Sequence, residues 1–224
     1  MTVHLVLASA SPARRALLRR AGIEPSVHVS DVDEDAVVVR ATDVGGPLHA
    51  ADVALLLARA KAEAVCRALT GSSDHLVLGC DSVLELDNET HGKPATAQEA
   101  VTRWRRMRGR RGILHTGHWL VDDRADGSRG TVGATASTTI HFADISDEEI
   151  DAYVATGEPL EVAGAFTLEG RGAPFVEGIE GDPSNVMGLS LPLLRVLLQD
   201  IGLSWSDLAE PSEPRRAQSA RRSP

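Results

Sequence analysis

Ser9, Ser11, Pro12, Arg14 and Arg15 stand between two apolar stretches, Leu5–Ala8 and 16–21. Serine is a favoured helix N-cap and proline a favoured first helical residue, so Ser11–Pro12 predicts a helix start directly after a strand. A strand that runs into the positive end of a helix presents unpaired backbone N–H groups to an anion. The guanidinium of a nearby arginine adds a planar fork of donors suited to phosphate or carboxylate. An ordinary strand-to-helix turn with surface arginines accounts for the same residues.

Lys61 is the next candidate. At 100° per residue it shares the helix side of Ala54, Leu57, Val65 and Ala68, while Arg59, Glu63 and Arg67 lie opposite. A lysine on an apolar stripe either snorkels to water or meets an anion. Asp81 closes the apolar stretch 75–81, which reads as a strand ending in an acid. In open α/β sheets ligands bind beyond the carboxyl ends of strands, where an acid can hold a metal, activate water or cap a turn. Asp31, Asp33, Glu34 and Asp35 form an acidic run, read as non-helical, whose oxygens suit Mg²⁺ or Mn²⁺ or simply face solvent. Lys93 sits in "GKP" at 92–94, a stiff turn that can aim an ammonium at an anion.

Other combinations are weaker. His115 and His118 are three apart on an expected strand, hence on opposite faces and poorly placed to share a metal. The six arginines of "RWRRMRGRR" at 103–111 read as a solvated helix end or a patch for polyanions. The chain has no GxxxxGK[ST] loop, no GxGxxG after a strand and no HExxH.

Positioning these residues requires alternating strands and helices. Strands are expected at 5–8, 27–30, 75–81, 113–122 and 131–142, with a turn at Asp87–Asn88. Helices are expected from Pro12 and at 49–69, 96–107, 147–156 and 189–202; Ser146 and Glu149 make a capping box for the fourth. Residues 36–48 read as a loop, and 157–188 as ordered loops and short strands. The pattern is α/β (α+β) with a mixed sheet. Residues 1–207 make one domain and 208–224 a polar, disordered tail.

Composition narrows the functional classes. The net charge of −9 disfavours polyanionic partners, so any phosphorylated ligand must be held by local charge or a metal. Three Trp, three Phe and one Tyr are too few for stacking platforms on single strands, and nucleic acid is not an expected partner. Cys66 and Cys80, without CxxC spacing, suit buried thiols in a reducing compartment. No run approaches the ~20 apolar residues of a membrane span, and a cytoplasmic location is expected.

"LASASPARR", "DVDE", "LARAKA", "GCDS", "GKP", "AGAFTLEGRGA" and "GDPSNVMGLSL" occur in one order over residues 3–200. In this the chain resembles the Maf family of nucleoside triphosphate pyrophosphatases. The resemblance implies a mixed, elongated sheet with two lobes around a cleft, similar to the inosine triphosphate pyrophosphatase fold. It also implies a divalent cation, often a homodimer, and hydrolysis of a nucleoside triphosphate, standard or modified, to the monophosphate and pyrophosphate. By position, Asp81 matches the family's catalytic acid, Ser9 and Arg14 its phosphate-binding turn, Lys61 and Lys93 its cleft lysines, and Glu34 with Asp81 its metal carboxylates. Ala13, Ser82 and Glu169 fall where two branches of the family differ in base specificity. The thymidine and uridine triphosphate branch has Arg, Thr and Gln there, and the 7-methylguanosine branch Trp, Gln and Glu. This chain shares Glu169 and the "GDPSNVMGL" segment with the second branch. The family name is tied to septum formation, so a regulatory binding protein is the alternative, with the arginine run and the tail as its contact surfaces.

Overall fold

In the computed structural model, which describes residues 3–69, 74–125 and 127–209, the serine–proline pair does open a helix. β1 (Leu5–Ala8) is buried throughout, and α1 (Pro12–Arg20) begins at Ser11, whose Oγ accepts the Arg14 N–H at 3.4 Å. There follow β2 (Ser26–Val27), α2 (Glu34–Gly45), α3 (Ala50–Ala68), β3 (Leu76–Leu86), β4 (Glu89–His91), α4 (Ala97–Met107), β5 (Arg111–Asp122), β6 (Thr131–Phe142), α5 (Asp147–Val154), β7 (Val176–Glu180), α6 (Pro183–Val186) and α7 (Leu191–Asp200). Seven strands form one mixed sheet of order β2-β1-β3-β5-β6-β7, with β4 attached to β3. β1 runs parallel to β2 and β3; the remaining pairings are antiparallel.

The long strand β3 organises the sheet. One edge pairs with β5 from Leu76 to Glu85. The other edge pairs with β1 only as far as Gly79 and with β4 only from Leu84. Residues 80–83 are therefore left as a notch in that edge. β4 returns through a two-residue turn in which Asp87 and Asn88 both have positive φ, 57° and 62°, the geometry whose twist suits a tight hairpin.

Side chains of β3 alternate between two different environments. On one face Leu76, Leu78 and Cys80 join a core with Leu18, Leu194 and Leu198, while Leu84 and Leu86 join a second core with Trp104, Phe142 and Ile150. Ser82 lies between the two cores. Across the opposite face runs α3. It lies so close that a Cβ on Gly79 would stand 2.1 Å from the Ala58 carbonyl, and one on Gly117 2.2 Å from that of Ala54. Only glycine admits that approach.

Four expectations need correction. β3 does not end at Asp81 but continues to Leu86, because β5 goes on supplying partners; Asp81 is a mid-strand residue just past the end of the β1 pairing. Of the expected loop 36–48, residues 36–45 are helical: Asp33 caps α2 by accepting the Ala36 N–H at 3.0 Å, and Glu34 and Asp35 form its acidic first turn. Its valine run and lack of any buried residue hid the helix. β2 covers Ser26–Val27 rather than 27–30. Leu208, in the expected tail, is buried in the first core; of that tail, 210–224 lies outside the described residues.

His118 ties β5 to α7. It is buried, its Nδ1 donates to the Thr116 carbonyl at 3.0 Å, and its Nε2 accepts the Ser190 N–H at 2.8 Å, so the ring must be neutral. Burial lowers its pKa from 6.5 to about 4. The unfolded chain therefore binds the extra proton first as pH falls. Stability should be undiminished above about pH 6.5 and decline toward pH 4, by about 3 kcal/mol in all. Urea denaturation across that range measures the slope, and His118→Gln should flatten it. An unchanged slope in the variant would remove His118 from the account.

Candidate active site

Asp81 sits in the notch and points to the α3 face. Among its neighbours are apolar residues and a glycine, so its carboxylate must find a cation or be neutral. Lys61, at the middle of α3, supplies it: Nζ lies 2.6 Å from Asp81 Oδ1 and 2.7 Å from Glu34 Oε1. The lysine of the apolar stripe thus meets anions instead of snorkelling to water. Its side chain is 13% exposed and that of Asp81 10%, against 49% for Glu34. The triad has a dry end and a wet end. Burial pushes the Asp81 carboxyl above its ordinary range, against the opposing pull of Lys61 and then Arg14.

Arg14 approaches from the other face. It is buried, and its guanidinium donates to four neutral oxygens: Nη1 to Ser9 Oγ and the Cys80 carbonyl, both at 2.8 Å, Nη2 to Ser82 Oγ at 3.0 Å, and Nε to the Gly188 carbonyl at 2.7 Å. The Cys80 carbonyl belongs to the open notch, and Arg14 fills the place of a strand partner there. Among the described residues no carboxylate pairs with Arg14, so its charge is left for an incoming anion. Ser9, one residue beyond β1, also accepts the Ser11 N–H at 3.2 Å, which ties the turn and the arginine together.

The structure does not gather every expected residue. Lys93 is exposed and forms no ion pair among the described residues. It follows two residues after His91, the last residue of β4, which pairs with Leu84. The turn is held instead through the Gly92 carbonyl, which accepts from Gly164 N at 3.1 Å and Arg103 Nη1 at 2.5 Å. Ala13 is half-buried in the first turn of α1, and Glu169 pairs with Arg20 at 3.1 Å at the far end of that helix. Among the described residues no hydrogen bond joins Ala13, Ser82 and Glu169. The hydroxyl of Ser82 is already committed to Arg14 and to Thr116 Oγ1, at 2.9 Å.

The arginine run is largely neutralised in place. Arg105 and Arg108 pair with Asp147 at 3.1 and 2.7 Å, Arg106 with Glu89 at 2.7 Å, Arg103 with Glu99 at 2.6 Å, and Arg110 with Asp87. His115 and His118 face opposite ways, as expected: His115 contacts Glu85 and Ser137, while His118 points into the first core. Cys80 is inert, since burial pushes its thiol up to about 12. Among the described residues no three His, Cys, Asp or Glu side chains are grouped to hold a metal. Glu34 and Asp81 nevertheless make a hard-oxygen pair, the number of carboxylates that Mg²⁺ commonly takes from protein when phosphate completes its shell. No described helix is long and apolar enough to cross a membrane.

Sequence reading missed Thr116, Asn185 and Gly188, which surround Arg14. Thr116 lies between two histidines that draw attention only as a poor metal pair, and Asn185 inside a signature segment.

The family described as Maf-like protein matches residues 4–201. A protein of Salinispora tropica is 58% identical over 93% of this chain and 88% of its own length. One from Streptomyces coelicolor is 56% identical over 94% and 96%, and one from Leifsonia xyli 54% over 92% and 96%. Each of the three bears the name nucleoside triphosphate pyrophosphatase.

The ion pair is open to a direct test. Lys61→Met leaves the Asp81 carboxylate buried without its ammonium and should cost about 3 kcal/mol at neutral pH by urea denaturation. Adding Asp81→Asn should recover most of the loss. A loss under about 0.5 kcal/mol would make the pair no more than a surface contact.

Proposed function

Because the chain belongs to the Maf family, we propose that it hydrolyses a nucleoside triphosphate between the α and β phosphates, releasing the monophosphate and pyrophosphate. The observation that carries this reading is the pairing of an aspartate and a lysine inside the notch, beside an arginine that makes no ion pair among the described residues. A triphosphate brings negative charge to Arg14, which no carboxylate among the described residues pairs with directly. It also competes for Lys61, which is shared between two carboxylates.

The reaction needs the charge on the leaving pyrophosphate to be neutralised, a water aligned opposite it, and a base for that water's proton. Arg14 and Lys61 supply fixed positive charge from the two faces of β3, and Lys93 adds a third cation from the β4 side. Ser9 holds both the turn and one arm of the arginine. Asp81 accepts the proton, a role favoured by the burial that raises its affinity for one. Glu34 and Asp81 are the carboxylates that would hold Mg²⁺ or Mn²⁺. Such an ion, when bound with substrate, neutralises phosphate charge. Lys61 bridges those two carboxylates.

Incubation with Mg²⁺ and a panel of standard, 7-methylguanosine and 5-methylpyrimidine triphosphates, with separation of products, tests the assignment. Equal release of monophosphate and pyrophosphate is expected; diphosphate with orthophosphate would overturn it. Asp81→Asn should lower kcat by about 10² or more without unfolding the chain. Near-normal turnover would remove Asp81 from the chemistry.

A further inference from the structure

Beneath Arg14 the hydrogen bonds close into a ring. Arg14 Nη2 donates to Ser82 Oγ at 3.0 Å, and Ser82 Oγ is 2.9 Å from Thr116 Oγ1. Thr116 Oγ1 lies 3.2 Å from the Asn185 carbonyl, which can only accept, so the one threonine proton is spent there. The Asn185 carbonyl also accepts the Gly188 N–H at 2.9 Å, and the Gly188 carbonyl accepts Arg14 Nε at 2.7 Å. Every hydroxyl direction follows. Ser82 must donate to Thr116, and its lone pairs must face Arg14.

The ring lies in the gap between the two apolar cores, and both Thr116 and Asn185 have no exposed surface. Asn185 is anchored in turn, its Nδ2 donating to the Leu114 carbonyl at 3.1 Å and to Thr138 Oγ1 at 3.0 Å. Gly188 has φ +99°, and a Cβ there would stand 3.2 Å from Arg14 Nε, so the ring leaves no room for a side chain. With four of the five guanidinium N–H groups engaged by Ser9, Cys80, Ser82 and Gly188, one Nη2 N–H remains.

We propose that Thr116 is a positioning residue, which sets the Ser82 hydroxyl so that Arg14 is locked in one plane and presents its remaining N–H to the substrate phosphates. The proposal rests on the triphosphatase reading for its kinetic part only. Without the threonine hydroxyl, Ser82 loses its acceptor and turns, and Arg14 loses the arm that fixes its rotation. Thr116 makes no direct contact with Arg14; it reaches the guanidinium chiefly through Ser82, its own proton being held by the Asn185 carbonyl on the other arm of the ring.

Two measurements test it. In steady-state kinetics with a triphosphate that the wild type hydrolyses, Thr116→Val should lower kcat/KM by about tenfold to a hundredfold, and Thr116→Ser should restore it. In a Ser82→Ala background the same Thr116→Val change should cost less than about threefold, since coupled residues are not additive. Independently of activity, the Arg14 Nε–H resonance, assigned by its loss in Arg14→Lys, should be protected from exchange in the wild type and Thr116→Ser, and exposed in Thr116→Val. Thr116→Ala replaces the valine variant should that one not fold, and the same comparisons apply. Wild-type kcat/KM and exchange in Thr116→Val would overturn the proposal. So would an equal cost with and without Ser82. A wild type inactive on every triphosphate would instead defeat the functional reading, leaving the exchange comparison to decide the ring.

Discussion

A helix can hand a lysine to a carboxylate inside a sheet only if the helix lies directly on the strands. Here that approach depends on Gly79 and Gly117, where the backbone of α3 occupies the space of a side chain. With the helix so close, Lys61 reaches Asp81 while its stem stays among apolar neighbours, and both charges are removed from water without being left unpaired. The second carboxylate, Glu34, comes from α2, a helix with no buried residue that packs only loosely beside α3. The centre therefore has a rigid inner pair and an outer partner on a solvated element.

The sheet contributes something the helices do not. Because β1 stops at Ala8, opposite Gly79, and β4 reaches no further than His91, opposite Leu84, one strand edge is bare for four residues, and adjacent residues of β3 point to opposite faces there. Asp81 belongs to the α3 side, with a lysine; Ser82 belongs to the side of the two cores, with an arginine. A single dipeptide thus joins two separate polar systems. An unpaired buried carbonyl in that edge would be costly, and Arg14 removes the cost at Cys80 while bringing its charge to the notch.

Much of this was readable in advance, and the reasons differ by residue. The cap at Ser11, the α3 stripe, the hairpin at Asp87–Asn88 and the capping box at Ser146 depend on neighbours within a few positions, and local rules found them. Lys61 was conspicuous because a charge on an apolar stripe contradicts its own surroundings. The extent of β3 was misjudged because an acid and a serine look like a strand end when their partners on β5 lie far along the chain. α2 was missed because its valines favour strands, and its helical state depends on the Asp33 cap and on contact with α3.

By itself the sequence determined the kinds of element, most of their borders, and a set of ionisable residues whose order matches one family. Those properties come from short-range sterics, hydrogen bonding and periodicity. Only the tertiary structure decided which of these residues meet. It put Lys61 between Asp81 and Glu34, left Lys93 exposed, turned the arginine run into surface ion pairs, and built a ring from Ser82, Thr116, Asn185 and Gly188 around Arg14. The reason is register. Pairing between distant strands sets which side chains share a face, and a shift of one residue would have sent Asp81 to the arginine and Ser82 to the lysine.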